Sequence, residues 1–560
     1  MVEQACRGPQ ASRALIENEG LQSMGFTTGD NASSFPTSHW KFPHKADRFP
    51  QAGPRRELRY AIILSPKVED SALAVYEKRL QDQFGKLNLF SGQYLRISEK
   101  DCKPGLSQVT ETCIHAKLDD LTKESRSLDF VFFLLDRADT TVYRNFRNAT
   151  DRLYPIQSVC ITLKDPKPPK HKPLTDKEKE NHVKMMISEI NTNIMMKVNL
   201  KLEGTNHRID EVSKWLKNTV VIGADLVHPG AGAFPGTPSI AAVVGSIDPD
   251  GRKCLGSLRL QQIDKTNREI IDAASLEEMV LNRLASWEEH HGKHALPTNI
   301  IYYRDGVSAD HYEAVQNQEL KAIEEAYRSA SKNRGLGDQK LNLTAVVVAK
   351  PHHTRFYPQK PDQGDPYGNW NTHPGTCVDQ LVTSPYYQDF FLQSHSGIKG
   401  TARPTHYFVL KNYIPGMDLT ALRDLTHQLC YSYVRSMCGV SYASPTYYAD
   451  RLCERGRLYI RSYFNGDDPD FKKEYADAKD KKSTAQKKSR EGKFGSEWHV
   501  KTKEERDMEK KYAAELSEYL KKLTNNKVKA AFYNQDPNSD GFGGWKNPYS
   551  YKLRNTMFWM

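Results

Sequence analysis

Two apolar runs that each end on an aspartate limit this chain more than any other feature of its sequence. VVIGADLVHP carries Asp225 and NIIYYRDGVS carries Asp305, and both runs have the length and β-branched content of buried strands. A carboxylate at a strand's carboxyl end lies at a sheet edge, where the chain turns. One such acid alone is more often a helix cap or turn residue than a ligand. Here Glu269, in QQIDKTNREII at the head of a following helix, and Asp450, in the helix-like YYADRLCERGR, extend the pair to four acids. The set suits phosphodiester hydrolysis. Two Mg²⁺ ions about 4 Å apart can activate a water and stabilise a leaving oxygen, and hard, hydrated cations are held by oxygen ligands.

At 560 residues the chain exceeds one ordinary core, and length alone suggests three or four packed units. Nine cysteines, an odd number without C-x-x-C spacing, signal neither a disulfide framework nor a zinc site. No basic-apolar-small leader opens the sequence and no apolar run reaches bilayer length. A soluble protein of a reducing compartment is expected, cytoplasmic or nuclear, without a membrane partner. The net charge of +11 favours a polyanion, because lysines and arginines that neutralise phosphates release condensed counterions. Many of these charges sit in one run near the C-terminal end, where a solvated face explains them equally well.

Residues 1–57, rich in Gly, Ser, Pro and Asn, read as linker. From Leu58 short apolar runs alternate with longer segments of helical period, the rhythm of an α/β unit. It includes Tyr60–Leu64, a helical stretch Ser71–Phe84, the strand Leu128–Leu135, a helix from Thr141, the strand Ser158–Leu163, a Pro/Lys-rich loop and a long helix from Asp176 to about Lys201. This unit spans 58–205. A second unit, 206–560, opens with three β runs, Thr219–Asp225, Ser239–Ser246 and Cys254–Gln261, then a helix Asn267–Trp287, then strands Asn299–Tyr303 and Leu343–Ala349. Within it, 467–523 reads as a solvated or partly disordered insertion. The apolar end, Thr556–Met560, suggests a terminus packed into the core.

GADLVHP with PSIAAVVGSID, IIYYRDGVS, KPHHTRF, PTHYFVL and SPTYYAD occur here in the order and rough spacing of one family. From about Leu58 to its end the chain resembles the MID and PIWI portions of eukaryotic Argonaute proteins. The resemblance implies an α/β fold: a Rossmann-like MID domain followed by an RNase H-like PIWI domain, behind an extended linker. It implies Asp225, Asp305 and Asp450 as ligands of Mg²⁺ or Mn²⁺, with Glu269 as a mobile glutamate finger completing the catalytic set. Asp450 stands where many relatives have histidine, and the added charge favours divalent binding. His406 falls in a motif that resembles a guide-contacting loop, so a structural or RNA-contact role is expected of it.

Tyr143 and Arg147 in TTVYRNFR, Gln157 in PIQSV, and Lys197 and Lys201 in MMKVNLKLEG form a second constellation. Lys197 and Lys201, at i and i+4, would share a helix face. Arg147 offers a planar fork for phosphate, and Tyr143 a ring for a base. Two lysines at this spacing are usually surface residues. The resemblance makes them, with Arg455, the pocket for a guide's 5′-phosphate, although Arg147 stands where lysine is common. It also implies guide-backbone contacts at His353, Arg355, His395, Arg403, Arg435, Ser441 and Tyr447. Such contacts are blind to sequence, which leaves target choice to base pairing.

The expected activity is endonucleolytic cutting of complementary target RNA under a small guide RNA, with silencing-complex proteins as further partners. A binding module that captures the guide without cutting is the alternative, and a guide-free RNase H-like nuclease a third reading that leaves Tyr143, Lys197 and Lys201 without a role. Argonautes also carry N-terminal and PAZ domains. The sequence before Leu58 has no room for them and resembles at best a linker remnant, so anchoring of a guide 3′ end is not expected of this chain.

Overall fold

The structure, a computed structural model, describes residues 60–65, 92–96, 111–124, 128–136, 138–162, 193–207, 211–261, 269–358, 370–397, 400–436, 438–490, 502–533 and 546–560, with a few short pieces between them. The 1–57 linker, the helix at 71–84, the Pro/Lys-rich loop and most of the long helix from Asp176 lie outside the described residues.

The first sheet contains β1 (Tyr60–Leu64), β2 (Gly92–Arg96), β3 (Phe130–Leu135) and β4 (Gln157–Thr162) in the order β2-β1-β3-β4. All three pairings are parallel. Parallel strands need crossovers and are covered on both faces, which explains why FVFFLL is apolar throughout and fully buried in β3. Helices α1 (Glu111–Glu124) and α2 (Thr140–Asn148) connect the strands. The Asp139 carboxylate caps α2 by accepting from the Thr141 and Val142 N–H groups, so the sequence after β3 turns directly into a helix. A third helix, α3, covers residues 193–201, and Ile194, Met195 and Val198 pack under β1, β3 and β4.

The second sheet has eight strands in the order β10-β11-β12-β9-β8-β5-β6-β7. They are β5 (Thr219–Val227), β6 (Ile240–Ser246), β7 (Cys254–Leu260), β8 (Asn299–Asp305), β9 (Asn342–Ala349), β10 (Thr376–Val378), β11 (Asp389–Gln393) and β12 (Thr405–Asn412). The centre, β5-β8-β9, is parallel, and the flanks are antiparallel. Helices α4 (Ala273–His291) and α5 (Leu320–Asn333) bury Met279, Leu284, Ile323 and Tyr327 against one face. On the other face lie α6 (Leu419–Tyr431) and α7 (Ser444–Tyr459). Helix α7 comes so close to β5 that a Cβ at Gly223 would meet the Pro445 backbone at 2.2 Å. Only glycine fits there.

Two expectations change. The helix expected from Asn267 is capped by Asp272 and starts at Ala273, which leaves Glu269 in a turn ahead of it. The insertion is two helices rather than a loosely ordered run, α8 (Pro469–Arg490) and α9 (Lys503–Tyr533). Charged composition hides the reason, which is a thin apolar seam: Phe471, Leu520, Val528 and Phe532 are buried. The last residues, Met557 to Met560, are 2–3% exposed within the same core as α7. Among the described residues no helix is long and apolar enough to cross a membrane.

Candidate active site and basic pocket

Parallel pairing sets the first two acids side by side. Ala224 lies opposite Arg304 in the β5–β8 register, so the next residues, Asp225 and Asp305, end neighbouring strands that run about 4.8 Å apart. The third acid arrives with α7. Gly223 lets that helix settle on β5, and Cys453 Sγ donates to Asp225 O at 3.4 Å, which brings Asp450, one turn earlier, toward the strand ends. Burial pushes the Asp305 carboxyl up to about 7, reinforced by the charges of Asp225 and Asp450. Burial and Asp450 likewise push Asp225 up to about 6, and burial raises Asp450 against the pull of Arg451. Acids that resist ionisation, first because they are buried and then because their neighbours are acids, are a site short of positive charge.

The carboxylates do not form a finished cage. Among the described residues no three His, Cys, Asp or Glu side chains converge tightly enough to hold a metal ion. Asp450 Oδ2 accepts from Arg451 Nε at 2.9 Å and Nη2 at 2.6 Å. Glu269 Oε2 accepts from Ser308 N–H at 3.1 Å and Ser308 Oγ at 2.9 Å, with His311 Nδ1 at 3.3 Å. Burial acts to raise the Glu269 carboxyl, but these hydrogen bonds outweigh it and hold the group below its ordinary value. The donor set still fits a divalent cation, since every group is a hard oxygen and the buried pair carries more negative charge than its surroundings balance.

Arg304 and Glu319 had no signal in the sequence beyond an arginine beside Asp305. The guanidinium, 1% exposed, reaches the fully buried Glu319 carboxylate with Nε at 3.0 and 3.1 Å. Glu319 also accepts from Tyr302 OH at 2.7 Å and from Ile271 N–H at 2.9 Å. Arg304 Nη1 donates to Asp305 O and Nη2 to Glu269 O. One buried ion pair thus ties the end of β8 to the turn that carries Glu269. Lys350 was also missed. It follows β9, donates to Ser441 Oγ at 2.5 Å, lies 4.7 Å from the Tyr442 ring centroid, and is drawn electrostatically to Asp305.

The second constellation assembles from three elements. Tyr143 and Arg147 lie one turn apart on α2, with the Arg147 Cζ 5.2 Å from the Tyr143 ring centroid. Arg147 Nη1 donates to Ser158 Oγ at 2.8 Å and to Ser158 O at 3.1 Å. From α3, Lys201 Nζ donates to Ser158 O at 2.9 Å and Phe558 O at 2.6 Å. From α7, Arg455 donates to Asp151 Oδ2 at 2.7 Å and Trp559 O at 3.1 Å. The groups gather at the amino end of β4 rather than at the carboxyl ends of β1 and β3, where the order reverses and doubly wound folds usually bind ligands.

Positive charge is in excess here. Burial lowers the Lys197 ammonium to about 8, helped by Arg435 and Arg147. Lys201, 3% exposed, is lowered further by burial and by Arg147 and Arg455. Burial acts to raise the Tyr143 phenol, yet Arg147 and Arg455 bring it below its ordinary value. Both polar atoms of the Gln157 amide are buried without a hydrogen-bond partner among the described residues. Asp151, which pairs with Arg455, was not foreseen, nor were the terminal carbonyls. Neither has a signature in sequence, since backbone acceptors carry none.

The residues expected to contact a guide's backbone come from the segments after β9 and β11, the segment between α6 and α7, and α7 itself. Arg355 Nη1 is held by His352 O and Thr354 O at 3.0 and 2.7 Å, and Arg403, exposed, lies 3.5 Å from Lys350 O. Tyr447 stacks on Tyr442 at 4.9 Å and lies 5.3 Å from the Arg451 guanidinium. Burial lowers His395 to about 4, so it is neutral near pH 7. His353 is exposed, and Arg435 and Ser441 are half-buried. His406 is engaged by Asp389 at 2.6 Å and stacked on Phe391.

A parallel three-strand centre with antiparallel flanks, acids at two adjacent strand ends and a third on a packed helix, defines the RNase H-like class of fold. The Piwi domain family matches residues 130–461, more than half of the chain. Protein argonaute-2 of Drosophila melanogaster is 34% identical over 362 residues, 63% of this chain and 27% of that protein. Protein argonaute 18 of Oryza sativa subsp. japonica is 37% identical over 279 residues, 48% of this chain and 24% of that one. The C-terminal lobe of a budding yeast Argonaute superposes with a TM-score of 0.61 at 27% identity, covering 74% of this chain and 81% of that lobe. Kluyveromyces polysporus Argonaute solved with a guide RNA gives a TM-score of 0.61 at 26% identity, covering 74% and 46%. The chain belongs to the Argonaute family and spans about a quarter of the length of the curated relatives it matches.

Proposed function

We propose that this chain holds the 5′-phosphate of a small guide RNA and cuts RNA paired to that guide by divalent-metal-dependent hydrolysis. The cutting half rests on one observation: Asp225 and Asp305 end adjacent parallel strands while α7 brings Asp450 toward them, so that burial and, after it, neighbouring acids raise the affinity of Asp225 and Asp305 for protons. Mg²⁺ or Mn²⁺ bound there supplies a Lewis acid for the phosphodiester and a more acidic water. Asp225, Asp305 and Asp450 are the groups that would hold it. Glu269, hydrogen-bonded by Ser308 in a turn that Arg304 holds, would accept a proton from the attacking water.

In the pocket, Arg147, Lys197, Lys201 and Arg455 would neutralise a terminal phosphate, Gln157 would donate its unused amide, and Tyr143 would stack on the first base. His353, Arg355, His395, Arg403, Arg435, Ser441 and Tyr447 would follow the guide's sugar-phosphate chain. The guide RNA held by the Kluyveromyces relative supports this reading. Silencing-complex proteins would be further partners, in a cytoplasmic or nuclear setting.

The ion pair of Asp450 with Arg451 and the hydrogen bonds that hold Glu269 favour a second reading, a guide-binding module that does not cut. One experiment separates the two. A 5′-phosphorylated RNA should bind at least about tenfold more tightly than its 5′-hydroxyl twin, the worth of roughly one charge-assisted hydrogen bond. With Mg²⁺ the loaded protein should cut a complementary RNA. Discrimination without cutting establishes the binding module, and equal binding of the two RNAs refutes the pocket.

A further inference from the structure

The hairpin formed by α8 and α9 is the largest feature that the site leaves unused. It is fastened to the loop that follows the Asp225 strand and to the end of the helix that carries Asp450. The β5–β6 loop leaves β5 shortly after Asp225, and its Phe234 packs on Phe471 and Tyr475 of α8 at centroid distances of 4.9 and 5.6 Å. Phe234 N–H donates to Tyr463 O at 3.2 Å, and a Cβ at Gly236 would meet the Lys521 backbone of α9 at 2.4 Å. From the other end, α7 carries Asp450 and Arg455 and leads into α8 through the helix Arg461–Asn465. The two arms are braced by Lys527–Glu474 at 2.8 Å, Gln486 Nε2 to Tyr512 O at 2.9 Å, and Lys482 over the Tyr519 ring.

Charge on α8 is sorted. The helix holds eight Lys and Arg against four Asp and Glu, and its acids, Asp470, Glu474, Asp477 and Asp480, stay off one line. Positions 472, 476, 479, 483 and 487 follow one another at helical spacing and read Lys, Ala, Lys, Ser, Lys. The three lysines on this line are exposed, and among the described residues none of their ammoniums has an ion-pair partner. The line is about 22 Å long at 1.5 Å per residue, enough to follow several successive phosphates. It offers point charges on long stems, without an aromatic ring, a guanidinium fork or an amide that could read a base edge.

We infer that the α8 stripe Lys472–Lys479–Lys487 is a docking surface for the phosphate backbone of paired RNA leaving the carboxylate cleft. This rests on the proposed guide-and-target function for the identity of the strand, and on charge sorting and placement for the contact itself. Ammoniums already displayed on a braced helix lose little freedom on binding, so their contribution is counterion release, which salt suppresses.

The test uses the full chain and the triple substitution Lys472→Glu, Lys479→Glu, Lys487→Glu. Three measurements are made across a salt series: binding of a 5′-phosphorylated guide RNA, binding of complementary RNA to the loaded protein, and binding of an unrelated RNA duplex without guide. Guide affinity should stay within about twofold. Affinity for target and for duplex should fall about tenfold or more at low salt, and the slope of log K against log salt should become shallower by about 2. Unchanged target and duplex binding in the folded variant overturns the proposal and leaves the stripe to an acidic protein or to solvent. Equal loss of guide binding overturns the assignment to the paired strand. If the wild type fails to prefer phosphorylated guide, the proposed function fails, and the duplex titration still decides the stripe. Should the reversal variant not fold, the Lys→Gln triple is read by the same slopes.

Discussion

The acids at the cleft and the cations in the pocket meet one problem with opposite sign, the burial of like charges near one another. Asp305→Asn removes one of the crowded carboxylates at constant shape. Cutting should be lost, guide affinity should stay within about twofold, and the metal-free protein should become more stable at pH 8, by an amount on the order of 1 to 3 kcal/mol. The sign follows from proton counts. Asp225 and Asp305 have folded values near 6 and 7 against an ordinary 3.8, so between about pH 4 and 7 the folded state binds protons that the unfolded state has released. Their contribution is fully present below pH 4 and is lost as pH rises through 7. Melting temperatures in chelator at pH 5 and pH 8 should therefore diverge more for the wild type than for Asp305→Asn, and Mg²⁺ should narrow that divergence in the wild type. In the pocket, Lys201→Ala should weaken phosphorylated guides roughly tenfold or more while leaving hydroxyl guides nearly unaffected. Equal losses would make Lys201 a general backbone contact.

At the scale of elements, placement depends on close approach. Gly223 carries no chemistry, yet it sets the height of α7 above β5 and with it the position of Asp450. Gly223→Ala should destabilise the protein by about 1 to 3 kcal/mol and reduce cutting more than guide binding, measured by melting and single-turnover cleavage; an unaltered rate would separate α7 height from activity. The strands β3, β4, β5, β6, β7, β8 and β9 were all legible in sequence, because buried strands announce themselves as short apolar runs bounded by polar turns. Asp225 and Asp305 were legible for the same reason, as acids that interrupt such runs at their ends. The helical state of the 467–523 region was not. Its buried positions, Phe471, Leu520, Val528 and Phe532, are too sparse among Lys and Glu to raise a pattern. The Arg304–Glu319 pair was hidden because its partners are fifteen residues apart across a loop and a helical turn, where no periodicity connects them.

Across the whole molecule, the two sheets meet through a few long-range contacts: Arg455 and Tyr459 on Asp151, Arg152 on the carbonyls of Ala531 and Phe532, and Lys201 on Phe558 O. Among the described residues Asp151 is the single carboxylate that pairs with Arg455, and Asp151→Asn should leave that guanidinium buried and underpaired. A loss of about 3 to 5 kcal/mol is expected, read as a lower midpoint in denaturant. Inorganic phosphate at millimolar concentration should recover part of it, since an anion in the pocket supplies the missing counter-charge.

The junction's surplus of cations has a consequence for the protein's fate in a cell. Positive groups buried together repel one another, so on the proposed function a copy without a guide RNA would sit closer to its unfolding threshold and be exposed longer to proteases. Supply of RNA would then govern how much of the polypeptide persists, keeping carrier and cargo in proportion without a separate sensor. Pulse-chase half-lives with and without small RNAs would measure it, and identical decay would show that occupancy leaves turnover untouched.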